Sequence, residues 1–103
     1  MSVVRTAAAV ALLAVALPVA AAQTHVVVID GVRYEPASIT VKRGDTVVWR
    51  NNDPFPHTVT AAKQFDSGSI AAGGQWKYVA RKPGTFEYLC TLHPNMTGTL
   101  VVQ

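Results

Sequence analysis

The sequence predicts an all-β fold, a Greek-key β-sandwich of about seven to eight short strands. Three observations carry this expectation. From Gln23 onward, Val, Ile, Thr and the aromatics supply 31 of 81 residues whereas Leu supplies three, a composition suited to pleated, half-buried strands. No segment in that part carries apolar residues at helical spacing over ten or more positions. Clusters of Gly, Pro, Asn and Asp interrupt the apolar runs at short intervals. A chain of 103 residues has room for one small domain, which excludes a multidomain enzyme. Its single Cys excludes a disulfide framework, and its aromatic and β-branched content excludes disorder.

The first 22 residues stand apart. They hold 18 apolar residues but none of the eight aromatics, the Cys or the three His. Arg5 is followed by an unbroken Ala, Val and Leu run from Ala7 to Leu17, then Pro18 and Ala20-Ala21-Ala22. A basic start, a short apolar run and an Ala-x-Ala end form a secretory signal, with cleavage expected before Gln23 and export to the periplasm. The uncharged stretch from Thr6 to Ala22 is 17 residues long and includes Pro18. That is short of the roughly 20 needed to span a bilayer. The expected organisation is therefore a signal peptide at 1–22 and one domain at 23–103. Removing Arg5 lowers the formal charge from +3 to +2, too little to call for a nucleic-acid partner.

Within the domain the pattern gives strands at 25–30, 38–42, 46–51, 57–62, 75–81, 85–90 and 97–102. They are separated by Gly31, by Arg43-Gly44-Asp45, by the segment from Asn51 to Pro56, by Gly73-Gly74 and by Lys82-Pro83-Gly84. Alternation places Ile39 with Val41 on one face, Trp76 with Tyr78 and Ala80, and Phe86 with Tyr88 and Cys90. Cys90 thus ends its strand pointing the same way as two aromatics, into the core.

An exported protein meets an oxidising compartment, where an exposed lone thiol is a liability. Cys90 must then be buried and inert, paired with another chain, or bound to a metal. Its neighbours bear on that choice. Cys90, His93 and Met96 recur at intervals of three as C-x-x-H-x-x-M. Pro94 and Asn95 oppose a helix there, so the three are expected on a short loop that curls them toward a common point. Thiolate, imidazole and thioether together favour copper, and His57, after Asn51-Asn52-Asp53-Pro54-Phe55-Pro56, is the candidate second imidazole. Each residue also has a plainer role open to it: packing for Cys90, a strand end for His57, an exposed loop for His93, gap filling for Met96.

The stretches VKRGDTVVWRNNDPFPHTV and GTFEYLCTLHPNMTGTLVV, in that order, resemble the cupredoxins, the small blue copper proteins. The resemblance covers nearly all of residues 25–103, and the short interval from His93 to Met96 is similar to the amicyanin type of ligand loop. It implies one copper held by His57, Cys90, His93 and Met96. It further implies an electron carrier, with an amine dehydrogenase as donor and a c-type cytochrome as acceptor. A monomer is expected, with no nucleic-acid partner at so small a net charge and no stable membrane insertion once the signal is cleaved. Four protein ligands leave no open position for a substrate, which speaks against an enzyme. The alternative is a protein that stores or delivers copper, or confers resistance to it, with the same ligands. One departure stands out: the residue after the first His is usually Asn in the family, bracing the Cys loop by hydrogen bonds, and here it is Thr58.

Strand direction yields two further expectations. The basic turns at Lys42-Arg43 and Arg81-Lys82 fall about 17–20 Å from the ligand cluster, at roughly 3.3 Å per strand residue. Pro54, Phe55, Pro56, Leu92 and Pro94 collect around His93 as an apolar docking face. His25 is the remaining histidine. With Gln23 as the first residue after cleavage, Gln23-Thr24-His25 has the terminal X-X-His arrangement that can bind Cu(II), although the start of a strand is its plainer role.

Overall fold

The computed structural model describes residues 21–103 together with residues 8, 9 and 11. The other positions of the expected signal peptide, 1–7, 10 and 12–20, lie outside the described residues. Among the described residues nine strands and no helix occur. Strands β1 (Thr24–Ile29), β2 (Tyr34–Glu35), β4 (Thr46–Asn51) and β7 (Gln75–Val79) form one sheet in the order β2-β1-β4-β7. Strands β3 (Ser38–Val41), β5 (Thr60–Ala61), β6 (Phe65–Asp66), β8 (Gly84–Cys90) and β9 (His93–Val102) form the other, in the order β3-β9-β8-β5-β6. The pairs β1–β4 and β3–β9 are parallel and the rest antiparallel. Parallel neighbours cannot be joined by a tight turn, so the chain crosses between sheets from β2 to β3 and back to β4, as in a Greek key.

The two inner faces interdigitate. Val27, Ile29, Val47 and Trp49 from the first sheet meet Val41, Phe86, Tyr88, Cys90, Leu100 and Val102 from the second, all buried. Trp49 is the hub: Tyr88 lies edge-on at 5.6 Å and Trp76 at 5.5 Å between ring centroids. Its indole N–H donates to the Tyr88 hydroxyl at 3.3 Å, which satisfies both buried polar groups. Opposite Tyr88, β9 carries Gly98, where a Cβ would overlap the tyrosine ring. The ring occupies the space that any larger residue would need.

The predicted faces hold. Phe86, Tyr88 and Cys90 alternate as buried positions along β8, Val41 is buried with Ile39 beside it, and Trp76 and Tyr78 pack against the core with Ala80. The short strands β2 and β6 add to the seven expected, β7 ends at Val79, and two further details differ. The expected strand at 57–62 is reduced to β5, with His57 held only by an isolated bridge to Ile70. Side chains take the backbone groups in between: Thr58 N–H donates to Cys90 Sγ, the Tyr34 hydroxyl donates to Thr58 C=O, and Val59 N–H donates to the Ser67 hydroxyl. The open loop expected after Cys90 is instead a two-residue turn, Thr91-Leu92, with β9 beginning at His93. Cys90 pairs with His93 and Leu89 with Thr97, so Pro94, Asn95 and Met96 arch out of register. Pro94 has no N–H to offer a ladder, which is why an arch forms there.

These connections separate two poles. Strands β4 and β8 both end at the pole that carries His57 and Cys90. They begin at the other, where Gly44 N–H donates to Ala80 C=O at 2.6 Å and Arg43 N–H to the Gln103 C=O at 3.1 Å. Arg43 and Arg81 border one surface hollow at that end, as their strand directions require. His25 is there too. Its Nε2 lies 2.9 Å from Asp45 Oδ2, and Thr24 and His25 are in register with Thr46 and Val47 of β4. The backbone that a terminal copper site would use is thus part of the sheet, and the imidazole faces a carboxylate.

The β1–β2 hairpin turns at the pole of His57 and Cys90 through Gly31 and Val32, both left-handed at φ 61° and 58°. Glycine accepts that conformation freely, whereas for a β-branched residue it costs on the order of 1–3 kcal/mol. Surrounding contacts must over-determine this turn.

Candidate metal centre

Three of the four sequence-predicted ligands converge directly. Cys90 Sγ lies 3.6 Å from His57 Nδ1 and 3.8 Å from His93 Nδ1. All three donor atoms lie within 4.8 Å of one another. An ion bonding sulfur at about 2.3 Å and nitrogen at about 2.0–2.1 Å, the lengths found for zinc, with angles of about 110–120°, needs sulfur–nitrogen edges of about 3.5–3.8 Å. The triangle therefore fits one ion near its centre. Met96, the fourth, is buried at the foot of the β9 arch and borders the same hollow as His93 and Leu92. A thiolate, two imidazoles and a thioether are a soft donor set of the kind that selects copper.

Each donor is placed by a different device. Cys90 ends β8 and is fully buried because its strand period turns it inward behind Tyr88. His93 is brought back against Cys90 by the turn at Thr91-Leu92, which leaves it half-buried. His57 is fully buried, bridged to Ile70 by N–H···O=C bonds of 3.1 and 2.7 Å in both directions. Phe55 packs across both imidazoles, its ring 5.2 Å from His57 and 5.7 Å from His93.

Thr58 performs the bracing for which Asn is the usual residue. Its hydroxyl accepts the Thr91 N–H at 2.9 Å, which ties the turn after Cys90 to the His57 segment. It lies 3.0 Å from the Thr60 hydroxyl, which donates to Asp66 at 3.0 Å. The Thr58 backbone N–H points at Cys90 Sγ, 3.3 Å away, and offers a hydrogen bond to a thiolate. Below it, the Tyr34 hydroxyl donates to Thr58 C=O at 2.6 Å, and Tyr34 stacks edge-on against Tyr88 at 4.7 Å. Burial chiefly, and then the Cys90 and Tyr88 acids beside it, push the Tyr34 phenol well above its ordinary range, so it stays a donor.

Two residues that the sequence did not single out complete the frame. Asn51, fully buried, donates through Nδ2 to the Phe55 and Ile70 carbonyls at 2.9 and 3.0 Å and accepts the Asp53 N–H at 3.0 Å. Asp53 accepts from His57 Nε2 at 2.7 Å and from the Gly31 and Val32 N–H groups at 2.7 and 2.9 Å. Burial alone pushes the Asp53 carboxyl up, but hydrogen bonds from Val32, His57 and Gly31 outweigh it and hold it below its usual range. The signal for Asp53 was its place four residues before a His across two prolines. Its partners at 31 and 32 are invisible from that spacing.

Comparisons with known proteins agree with this geometry. A model of the cupredoxin-like domain matches residues 4–102. Amicyanin of Paracoccus versutus is 34% identical over 97 residues, covering 84% of this chain and 73% of its own. Plastocyanin of Scenedesmus fuscus is 31% identical over 88 residues, covering 68% of this chain and 86% of its own. A Cu(I) structure of an amicyanin variant superposes with a TM-score of 0.74 at 30% identity, over 78% of this chain and 82% of that one. In sequence, topology and site this chain belongs to the cupredoxin-like family.

Proposed function

We propose that the protein is an exported single-electron carrier that holds one copper ion between His57, Cys90, His93 and Met96. The observation that carries this reading is the convergence of Cys90 Sγ with both His Nδ1 atoms beside a buried methionine. Copper bound there supplies a one-electron Cu(I)/Cu(II) couple. The residues around it hold the donors in place: Thr58 fixes the turn at Thr91, Asp53 fixes His57, and Phe55 packs on both imidazoles. A frame with every buried side-chain polar atom hydrogen-bonded, among the described residues, resists rearrangement when charge changes. With all four donors engaged no position is left for a substrate, in keeping with a carrier and not an enzyme.

The half-buried edge of His93 is the electron port. Around it Phe55 is 38% and Leu92 53% exposed, two large apolar residues at the same pole, and their grouping supports a docking face for redox proteins there. A dehydrogenase donor and a c-type cytochrome acceptor are the partners that the likeness to amicyanin favours. Cleavage before Gln23 would release residues 23–103 into the periplasm, and a mature terminus at Gln23 in the exported protein is the measurement that checks it. The metal reading is tested by the visible and electron paramagnetic resonance spectra of copper-loaded protein. Intense blue absorption with reversible one-electron cycling is expected. A pale, square-planar Cu(II) spectrum would overturn it, and a colourless protein that holds Cu(I) and passes it to an acceptor would identify a copper-delivery protein instead.

A further inference from the structure

Behind His57 the chain presents a full negative charge, and nothing in the ligand set alone calls for one. The imidazole is fully buried, so each of its ring nitrogens requires a partner. A neutral backbone carbonyl would suffice, yet the acceptor is the Asp53 carboxylate at 2.7 Å. The same carboxylate is gripped by the Gly31 and Val32 N–H groups at 2.7 and 2.9 Å. Those two residues are consecutive and both left-handed, so their N–H groups converge into an anion-holding concavity. The turn is closed by Asp30 N–H donating to Arg33 C=O at 3.0 Å. Asn51 Oδ1 fixes the Asp53 backbone N–H from the other side. Asp53 therefore cannot swing away from the imidazole: it is held by a hairpin 22 and 21 residues upstream.

On the copper reading given above, we propose that Asp53 is the positioning residue of this centre, fixing His57 with its proton on Nε2 and biasing the site toward Cu(II). Two consequences follow from chemistry on the page. A carboxylate at Nε2 keeps the proton there and leaves the Nδ1 lone pair facing Cys90 and His93, ready for the ion. With Cys90 ionised, Asp53 brings the buried residues near the ion to two negative charges. These balance a dipositive ion, whereas a monopositive one leaves a negative charge uncompensated. Val32, whose strained backbone Asp53 supports, also borders the hollow shared by Leu92, His93 and Met96, so the turn belongs to the metal-bearing pole on both sides.

The test compares wild type with Asp53→Asn, Asp53→Glu and, as a control for charge alone, Glu87→Gln, an exposed carboxylate on β8. Cu(II) and Cu(I) affinities and the reduction potential are measured on each. Asp53→Asn should lose about 10–100-fold in Cu(II) affinity with a smaller loss for Cu(I). A tenfold change in that ratio is about 59 mV, upward. Asp53→Glu should recover part of it, and Glu87→Gln should change the ratio less than twofold. A folded Asp53→Asn protein with an unchanged Cu(II)/Cu(I) ratio overturns the proposal. An independent readout needs no metal and no variant: nitrogen-15 spectra of the metal-free wild-type protein at pH 8 should place the His57 proton on Nε2 alone. A proton on Nδ1 overturns the proposal even if Asp53→Asn fails to fold. Failure of the copper reading itself would look different, since wild type would then lack the blue spectrum altogether.

Discussion

Removing the Thr58 hydroxyl probes the bracing of the ligand turn without touching a ligand. Thr58→Val keeps the shape of the side chain and the backbone N–H that points at Cys90 Sγ, but takes away the acceptor of the 2.9 Å bond from Thr91 N–H. An orphaned buried donor costs about 1–3 kcal/mol. Thr91 itself is exposed, so water replaces part of the loss and the lower end, about 1 kcal/mol, applies. For a domain of this size that corresponds to a fall of about 4–8 °C in melting temperature. Calorimetry of the metal-free protein measures it directly. Thr58→Asn carries its acceptor one bond further out, where the amide oxygen still reaches the Thr91 N–H, and should melt within about 2 °C of wild type, well inside the effect expected of Val. If Val and Asn variants melt together with wild type, the Thr58–Thr91 bond carries no load and the reasoning about the brace is wrong.

Three further outcomes are expected. Asp45 is held down to about 2 from 3.8 by hydrogen bonds from the Gln23 N–H, His25 and the Lys42 N–H. A depressed carboxyl stabilises the fold above its ordinary value and loses that contribution as pH falls from about 3.8 to about 2. Wild type should therefore lose stability more steeply across that window than Asp45→Asn, by thermal melts at each pH. Asp53, also depressed, contributes to both proteins, so the difference isolates Asp45. Gly98→Ala drives a methyl into the Tyr88 ring and should destabilise by about 1–3 kcal/mol in chemical unfolding; wild-type stability would show that the ring has room to move. Phe55→Asp or Leu92→Asp, at the exposed apolar pole, should slow electron exchange with a redox partner in stopped-flow kinetics far more than Arg81→Glu at the opposite pole. The reverse ranking would move the electron port.

What the sequence determined by itself was what local order encodes. Period-two alternation put Phe86, Tyr88 and Cys90 on one inward face, and the donor types and their order, His57 then Cys90, His93 and Met96, named a soft-metal centre. Side-chain direction and donor chemistry are properties of neighbouring residues, so they survive without a fold. Only the tertiary structure decided what depends on distant segments meeting. Strand 57–62 shortened because Cys90, Tyr34 and Ser67 claimed its backbone groups, and the expected loop became a turn and an arch because β9 could pair with β8 as far as His93. Thr58 took the brace because Thr91 arrived beside it from 33 residues away, and Asp53 reached His57 with its other contacts on a hairpin that spacing does not reveal. A hydrogen bond is directional over about 3 Å, and its partner is chosen by topology, which no run of neighbouring residues contains.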